Sequence, residues 1–199
     1  LGQSTSTDVR LEADQPIADS SGNEYIKFTK TTSAVNEVTV TNAATGTAPT
    51  IAASGGDTNI GLKLDAKGTA AVVALDPFLR PLTVTTITTA GVVTYAAAEI
   101  LGGLILRNTN GAGRSDVTPT AALLVAAVPG AVVGSSFDFV IRNTAGAAET
   151  ITVTAGTGVT LSGTMTIAQN NSKLFRVRLD NVTGGAEAVT IYSIGTFVH

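Results

Sequence analysis

The side chains in this chain that could carry out chemistry are almost all carboxylates. The 199 residues include no cysteine, and the single histidine is the last residue, His199. Thiol catalysis, thiolate metal sites and the Ser–His–Asp and Cys–His mechanisms therefore lack a nucleophile or a base. A histidine-rich zinc site is excluded for the same reason. What remains is acid–base chemistry by a pair of carboxylates, as in glycoside hydrolysis.

The candidate carboxylates stand singly along the chain. They are Asp57, Asp65, Asp116, Asp138, Glu149, Asp180 and Glu187. Most occupy predicted turns or outward positions of predicted strands, where a carboxylate is normally solvated, so the sequence predicts no catalytic residue. Asp57 and Asn59 could supply half of a calcium site, but the sequence lacks the loop of regularly spaced acidic residues that binds calcium in an EF-hand. Since no dinucleotide or phosphate-binding glycine pattern occurs either, we expect no metal site and no cofactor.

Composition limits the partners of the chain. The net charge is −3 and the isoelectric point is near 5.0, which is not typical of a nucleic-acid-binding protein. The longest apolar stretch, residues 121–133, is interrupted by Pro129 and Gly130 and is shorter than the roughly 20 residues that cross a bilayer. We therefore expect neither a nucleic-acid partner nor a membrane span.

The elements that must position these side chains are predominantly short strands, and the predicted fold class is all-β. Residues 1–34 begin with a polar stretch and are interpreted as an extended arm, with a floppy tail as the alternative. Residues 35–81 are interpreted as a short-stranded shaft that mediates trimerisation. Its strands are predicted at 35–41, 50–53, 60–64 and 70–75, with one more at 25–32 before it. Apolar residues on one face of these strands are predicted to form the interface: Val38, Val40, Ile60, Leu62 and Leu64.

A proline-flanked hinge at residues 77–81 precedes a larger domain, residues 82–199. About eight strands with glycine-rich turns predict a β-sandwich or jelly-roll-like architecture there. They are placed at 83–88, 92–95, 103–107, 137–142, 150–154, 164–168, 174–179 and 188–194. One short helix is predicted after Thr118 as cap and Pro119 as first helical residue, ending at Pro129 and Gly130, with a buried strand as the alternative.

The sharpest strand pattern occurs at residues 174–179. Alternation predicts that Phe175, Val177 and Leu179 face inward while Arg176 and Arg178 face outward. We assign Arg176 and Arg178 to the interface, where they would pair with carboxylates of a neighbouring subunit, as would Arg107 and Arg142. Solvated positions on the outside of a sheet are the alternative.

A short internal similarity links two of the predicted strands. Residues 105–109 (Ile-Leu-Arg-Asn-Thr) are similar in sequence to residues 140–144 (Val-Ile-Arg-Asn-Thr). The similarity indicates either a duplicated unit or a chance recurrence of a strand that leaves through an Asn-Thr turn.

Two stretches of the sequence resemble virion surface proteins of tailed bacteriophages. The first comprises residues 36–46, 48–51, 55–60 (Gly-Gly-Asp-Thr-Asn-Ile) and 67–69 (Lys-Gly-Thr), and is similar to the shaft segments of fibre and head-decoration proteins. The second runs from Tyr95 to Ile194 and looks like the carboxy-terminal domain of such proteins. The resemblance implies a homotrimer on the phage particle, bound to the major capsid protein or to other virion proteins, and no catalytic residue carries over.

The sequence therefore predicts a non-enzymatic structural protein, and the resemblance implies that it belongs to the virion. The leading hypothesis is a capsid decoration (cement) protein or head fibre, in which arm and shaft grip the capsid and residues 82–199 project. The alternative is a tail-fibre module that binds a receptor on the host surface. A polysaccharide depolymerase and a bacterial adhesin are further alternatives from other classes.

Overall fold

The computed structural model describes residues 16–74, 81–128 and 130–199, and these parts are all-β apart from two six-residue helices. The chain divides into two compact units, Leu1–Lys63 (unit 1) and Leu64–His199 (unit 2). The division falls inside the predicted 35–81 shaft. Three predicted features lie wholly or partly outside the described residues. They are the first fifteen residues of the arm, most of the hinge, and Pro129, where the helix is predicted to end.

Unit 1 contains two antiparallel hairpins. They are formed by β1 (Pro16–Ala18) with β2 (Glu24–Lys27), and by β3 (Asn36–Thr41) with β4 (Thr50–Gly55). The strand predicted at 25–32 corresponds to β2, which is shorter, whereas β1 was not predicted; Ile17 pairs with Ile26 across the first hairpin. Asp19 closes its turn by accepting hydrogen bonds from the Asn23 side chain and backbone, at 2.7 and 2.8 Å, and the side-chain bond chiefly lowers the pKa of Asp19.

The strands predicted at 60–64 and 70–75 are wrong for the described residues, since 60–74 form no strand. Alternation of apolar and polar residues predicts which side of a strand is buried, but a strand also needs a hydrogen-bonding neighbour. Within the described part of unit 1, β3 and β4 pair only with each other. Residues 60–64 pair with neither strand, so their alternating pattern forms no ladder.

Unit 2 consists of a six-stranded and a three-stranded sheet. Its strands are β5 (Thr83–Ile87), β6 (Gly103–Arg107), β7 (Arg114–Val117), β8 (Ser136–Asn143), β9 (Ile151–Thr154), β10 (Val159–Ser162), β11 (Thr166–Ile167), β12 (Asn171–Asn181) and β13 (Ala188–Val198). The orders are β10-β13-β12-β8-β6-β5 and β11-β9-β7. β12 is antiparallel to both of its neighbours, and β11 is antiparallel to β9. The other four pairs are parallel, so both sheets are mixed: β5–β6, β6–β8, β10–β13 and β7–β9.

Inward side chains of both sheets share one hydrophobic core. Phe139 and Phe175, which are directly paired on β8 and β12, stack with ring centroids 5.0 Å apart. Ile151 and Ile167 of the smaller sheet complete the same cluster. The predicted inward orientation of Phe175, Val177 and Leu179 is confirmed by their full burial, and Arg176 and Arg178 face outward as predicted.

The predicted helix is confirmed as α2 (Ala121–Ala126), but its cap is Thr120 rather than Thr118. The Thr120 hydroxyl accepts a hydrogen bond from the Leu123 amide at 3.3 Å. The Thr118 hydroxyl instead accepts from the Gly156 amide at 2.8 Å, so Thr118 ties the chain before the helix to the end of β9. The buried-strand alternative is wrong.

A second helix, α1 (Ala97–Gly102), was not predicted. Glu99 caps it by accepting from the Ala96 amide at 2.8 Å, and it ends at Gly103, whose φ of 100° suits glycine. In the described residues, neither helix is long and apolar enough to cross a membrane.

The internal similarity between residues 105–109 and 140–144 is not a repeat in structure. β6 and β8 lie side by side and parallel, but their register pairs Ile105 with Ile141 and Arg107 with Asn143. The sequence similarity is therefore shifted by one residue, and a one-residue shift reverses the faces of a strand. Arg107 is buried while Arg142 is exposed, so duplication has no support.

Candidate interaction surface of the amino-terminal unit

The hairpin of β3 and β4 has one apolar face and one polar face. Its register pairs Val38 with Ala53 and Val40 with Ile51, so these four side chains lie together on one side. We call them the hairpin face. Val38, Val40 and Ile51 are 58%, 74% and 63% exposed. A side of this kind on a two-stranded sheet normally packs against another element.

The opposite side of the hairpin is held by polar side chains. Ser54 donates a hydrogen bond to Glu37 at 3.0 Å and also contacts the Thr39 hydroxyl. These groups are directly opposite or diagonal across the two strands. Glu37, Thr39 and Ser54 are therefore satisfied within the hairpin, whereas the apolar face stays largely exposed in the part of the chain that the structure describes.

Asp57 closes the open end of this hairpin. Its carboxylate accepts a hydrogen bond from the Asn36 side-chain amide at 2.7 Å. Gly55, with φ of 144°, lets the chain turn there, because a Cβ at this position would lie 2.4 Å from the Val35 carbonyl oxygen. This geometry gives Asp57 a structural role, and in the described residues no group of three or more metal-binding side chains occurs.

Ile60 and Leu62 lie beside the hairpin face. Together with Val38 and Ala53 they line a shallow groove of about 360 Å³. The structure thus brings together four of the five apolar residues predicted for the interface: Val38, Val40, Ile60 and Leu62. Leu64, 65% exposed, belongs to unit 2, and its predicted alignment with the others depended on a strand that does not form.

Arg176 and Arg178 pair within the chain, which corrects the expectation that they bind carboxylates of a neighbouring subunit. The register of β8 and β12 places Arg176 opposite Asp138, and two hydrogen bonds of 2.8 and 2.9 Å join them. The bond to Asp138 raises the pKa of Arg176. Arg178 contacts Asp180 two residues further along β12. Both pairs are solvent-exposed, so each contributes little to stability.

The structure also contains a buried ionic cluster that the sequence did not indicate. Arg107 and Asp116 are both completely buried and joined at 2.7 Å. The arginine uses all five N–H groups, two on Asp116 and the others on the carbonyl oxygens of Thr89, Gly91 and Asn108. The expectations of a solvated Asp116 and of an Arg107 at a sheet exterior or subunit interface are therefore wrong.

Tyr95 completes this cluster. Its hydroxyl donates to Asp116 at 3.0 Å, and the Val93 amide donates to the other carboxylate oxygen at 3.1 Å. Burial raises the pKa of Tyr95 far above its usual value, so the hydroxyl keeps its proton and remains a donor. Because β6 belongs to the larger sheet and β7 to the smaller, the cluster fastens the two sheets together and presents no accessible group for catalysis.

Glu149 and His199 also have structural contacts. Glu149 accepts from the Gly111 amide at 2.9 Å and contacts the Thr109 hydroxyl, so it fixes a turn. His199 contacts the Ser172 hydroxyl at 2.7 Å, but no carboxylate contacts its ring in the described residues. A Ser–His pair without an orienting acid does not make a catalytic triad.

Comparison with protein-family models finds no match, and comparisons with curated proteins and with solved structures likewise find no similar protein. The geometry of the hairpin face is therefore the main support for a functional interpretation.

Proposed function

We propose that the chain is a non-enzymatic structural subunit of a multi-copy assembly, and that unit 1 is its assembly element. One observation carries this proposal. Among residues 16–63 none is buried, although the hairpin face groups four apolar side chains on one side. An isolated two-stranded hairpin is at best marginally stable in water, so unit 1 requires partners.

The partner that best fits the hairpin face is the same face of other copies, arranged as a homotrimer. Val38, Val40, Ile51 and Ala53 are small or β-branched, and such side chains fill the narrow space around a symmetry axis. Burial of the exposed parts of the three larger residues contributes about 1–2 kcal/mol each in every copy. The groove beside Val38, with Ile60 and Leu62, extends the same surface.

The size of the assembled particle tests this proposal. Val40→Asp is expected to convert an oligomer of the full chain into a monomer, raising the dissociation constant at least about a hundredfold, because each copy would bury an unpaired carboxylate. Light scattering coupled to gel filtration measures the mass. Thr41→Asp, on the polar side of the same strand, is the matched control and should leave the mass unchanged. A monomeric unsubstituted chain would contradict the proposal.

We place this assembly on a phage particle, as a capsid decoration protein or head fibre on the major capsid protein or other virion proteins. Support comes from the resemblance of the shaft segments and from unit 1, whose surface is suited to symmetric assembly. We also propose that the two sheets of unit 2 form a β-sandwich, since they enclose one core. The parallel pairs distinguish it from an antiparallel jelly roll.

Immunogold electron microscopy of the source particles, with antibody against residues 82–199, tests this location. Gold over the heads is the expected result. Gold confined to the tail tips would favour the receptor-binding alternative, and unlabelled particles would contradict a virion role.

A further inference from the structure

An apolar row crosses the outward face of the larger sheet of unit 2. The strand registers pair Val84 with Leu104, Leu104 with Val140, and Val140 with Leu174. These residues alternate with the core residues of β6, β8 and β12, so their side chains point away from the core. We call Val84, Leu104, Val140 and Leu174 the outer row.

The outer row is accessible to solvent and separate from the core. Val84 is exposed and the other three residues are partly exposed. None of the four belongs to the core cluster or packs against it. With strands about 4.8 Å apart, the row is about 15 Å long.

Charges of opposite sign flank the row. Asp138 and Arg142 lie two residues on either side of Val140, on the same face of β8. Asp138 is paired with Arg176 on its side of the row. The Arg142 side chain is exposed and makes no hydrogen bond or ion pair within the described residues.

We infer that the outer row binds the outer row of a second copy of this chain, face to face, with a two-fold axis running along the row. This axis exchanges the two flanks, so Arg142 of each copy lies against Asp138 of the other. Apolar residues then meet apolar residues, and Arg142 meets the carboxylate of the Asp138–Arg176 pair, whose oxygens can each accept from a second donor. A second copy is the occupant because the face is complementary to itself under this one operation.

The area predicts how strong this contact is. A patch about 20 Å square buries about 400 Å² in each copy, or about 800 Å² in total, which is below the 1,200–2,000 Å² of stable complexes. The contact is therefore weak between free molecules and is populated at high local concentration. It is independent of the hairpin face of unit 1.

Cross-linking of the full chain tests the inference. Because the sequence lacks cysteine, Val140→Cys introduces one thiol, which the two-fold axis places opposite its counterpart. A short bis-maleimide at about 1 mM protein, a concentration chosen because the interface is small, should give covalent dimers. Ser115→Cys, exposed on β7 of the other sheet, is the matched control and should give at least about fivefold less dimer.

A charge reversal separates this contact from chance collisions. Adding Arg142→Glu to Val140→Cys should lower the dimer yield about fivefold or more, because a carboxylate then faces Asp138 of the second copy. Circular dichroism checks that the variants fold. Adding Val40→Asp, which disrupts the assembly proposed for unit 1, should leave the yield unchanged. Equal yields for Val140→Cys and Ser115→Cys, no effect of Arg142→Glu, or loss of dimer with Val40→Asp would overturn the inference.

Discussion

Arg107→Ala is expected to lower the free energy of unfolding of unit 2 by about 3–5 kcal/mol. The substitution leaves the Asp116 carboxylate buried with only the Tyr95 hydroxyl and the Val93 amide to solvate it. It also removes the donors that satisfy three carbonyl oxygens. Equilibrium unfolding in guanidinium chloride, followed by circular dichroism, measures the loss.

Two comparisons identify the cause of that loss. Arg178→Ala removes an arginine from an exposed pair and should cost less than about 1 kcal/mol. The triple variant Arg107→Met, Asp116→Leu and Tyr95→Phe removes the three polar side chains of the cluster. It should recover the part of the stability lost in Arg107→Ala that comes from the unpaired carboxylate, while the three carbonyl oxygens stay without their donors. A similar cost for Arg107→Ala and Arg178→Ala would show that the buried charge is not what holds the sheets together.

Phe175→Ala is expected to cost about 3–5 kcal/mol, because it removes a large side chain from a closed core and leaves a cavity. Phe175 is fully buried and stacks on Phe139, so the loss includes the aromatic contact as well as the burial. The same denaturant titration measures it.

Phe197→Ala is the matched control for this variant. Phe197 is on β13 and is 53% exposed, so the same truncation should cost less than about 1 kcal/mol when measured on dilute protein. A cost for Phe175→Ala near that of Phe197→Ala would mean that the space it leaves is refilled by neighbouring side chains.

Much of the strand content of unit 2 could be predicted from sequence. The alternation at residues 174–179 has a period of two, and it placed Phe175 inward and Arg176 outward correctly. Gly103–Arg107 was predicted with its observed bounds. The strand predicted at 92–95 is wrong, since only Thr94 forms an isolated bridge there. β7 and β10 were not predicted, and β7 carries inward Asp116 where an apolar residue is expected.

The buried cluster shows where pattern-based prediction fails. Arg107 occupies an inward position two residues after Ile105, and an arginine at such a position contradicts the rule that charges face solvent. Only the three-dimensional placement of Asp116 and the surrounding carbonyl oxygens makes its burial favourable. Arg107 and Asp116 lie on separate strands, so no spacing pattern within one strand predicts that they pair.

The candidate surface of unit 1 was partly predictable. Val38 and Val40 alternate with polar residues, and this local signal identified the hairpin face. Ile51 and Ala53 were missed because their place on that face depends on the register with β3. Conversely, Arg176 was assigned to a subunit interface because the sequence does not show that Asp138 lies opposite it.

The parallel pairings of unit 2 have a consequence for how quickly it folds. The strands of the pairs β6–β8, β7–β9 and β10–β13 are separated by roughly thirty to forty residues, so each pair requires the closure of a long loop before its contacts form. The hairpins of unit 1 join neighbouring segments and need no such search. In a newly synthesised chain, the hairpin face can therefore form while unit 2 is still collapsing. The topology of the two units would then set the order in which they fold. Unit 1, the assembly element, would be available in each copy before unit 2 has finished folding.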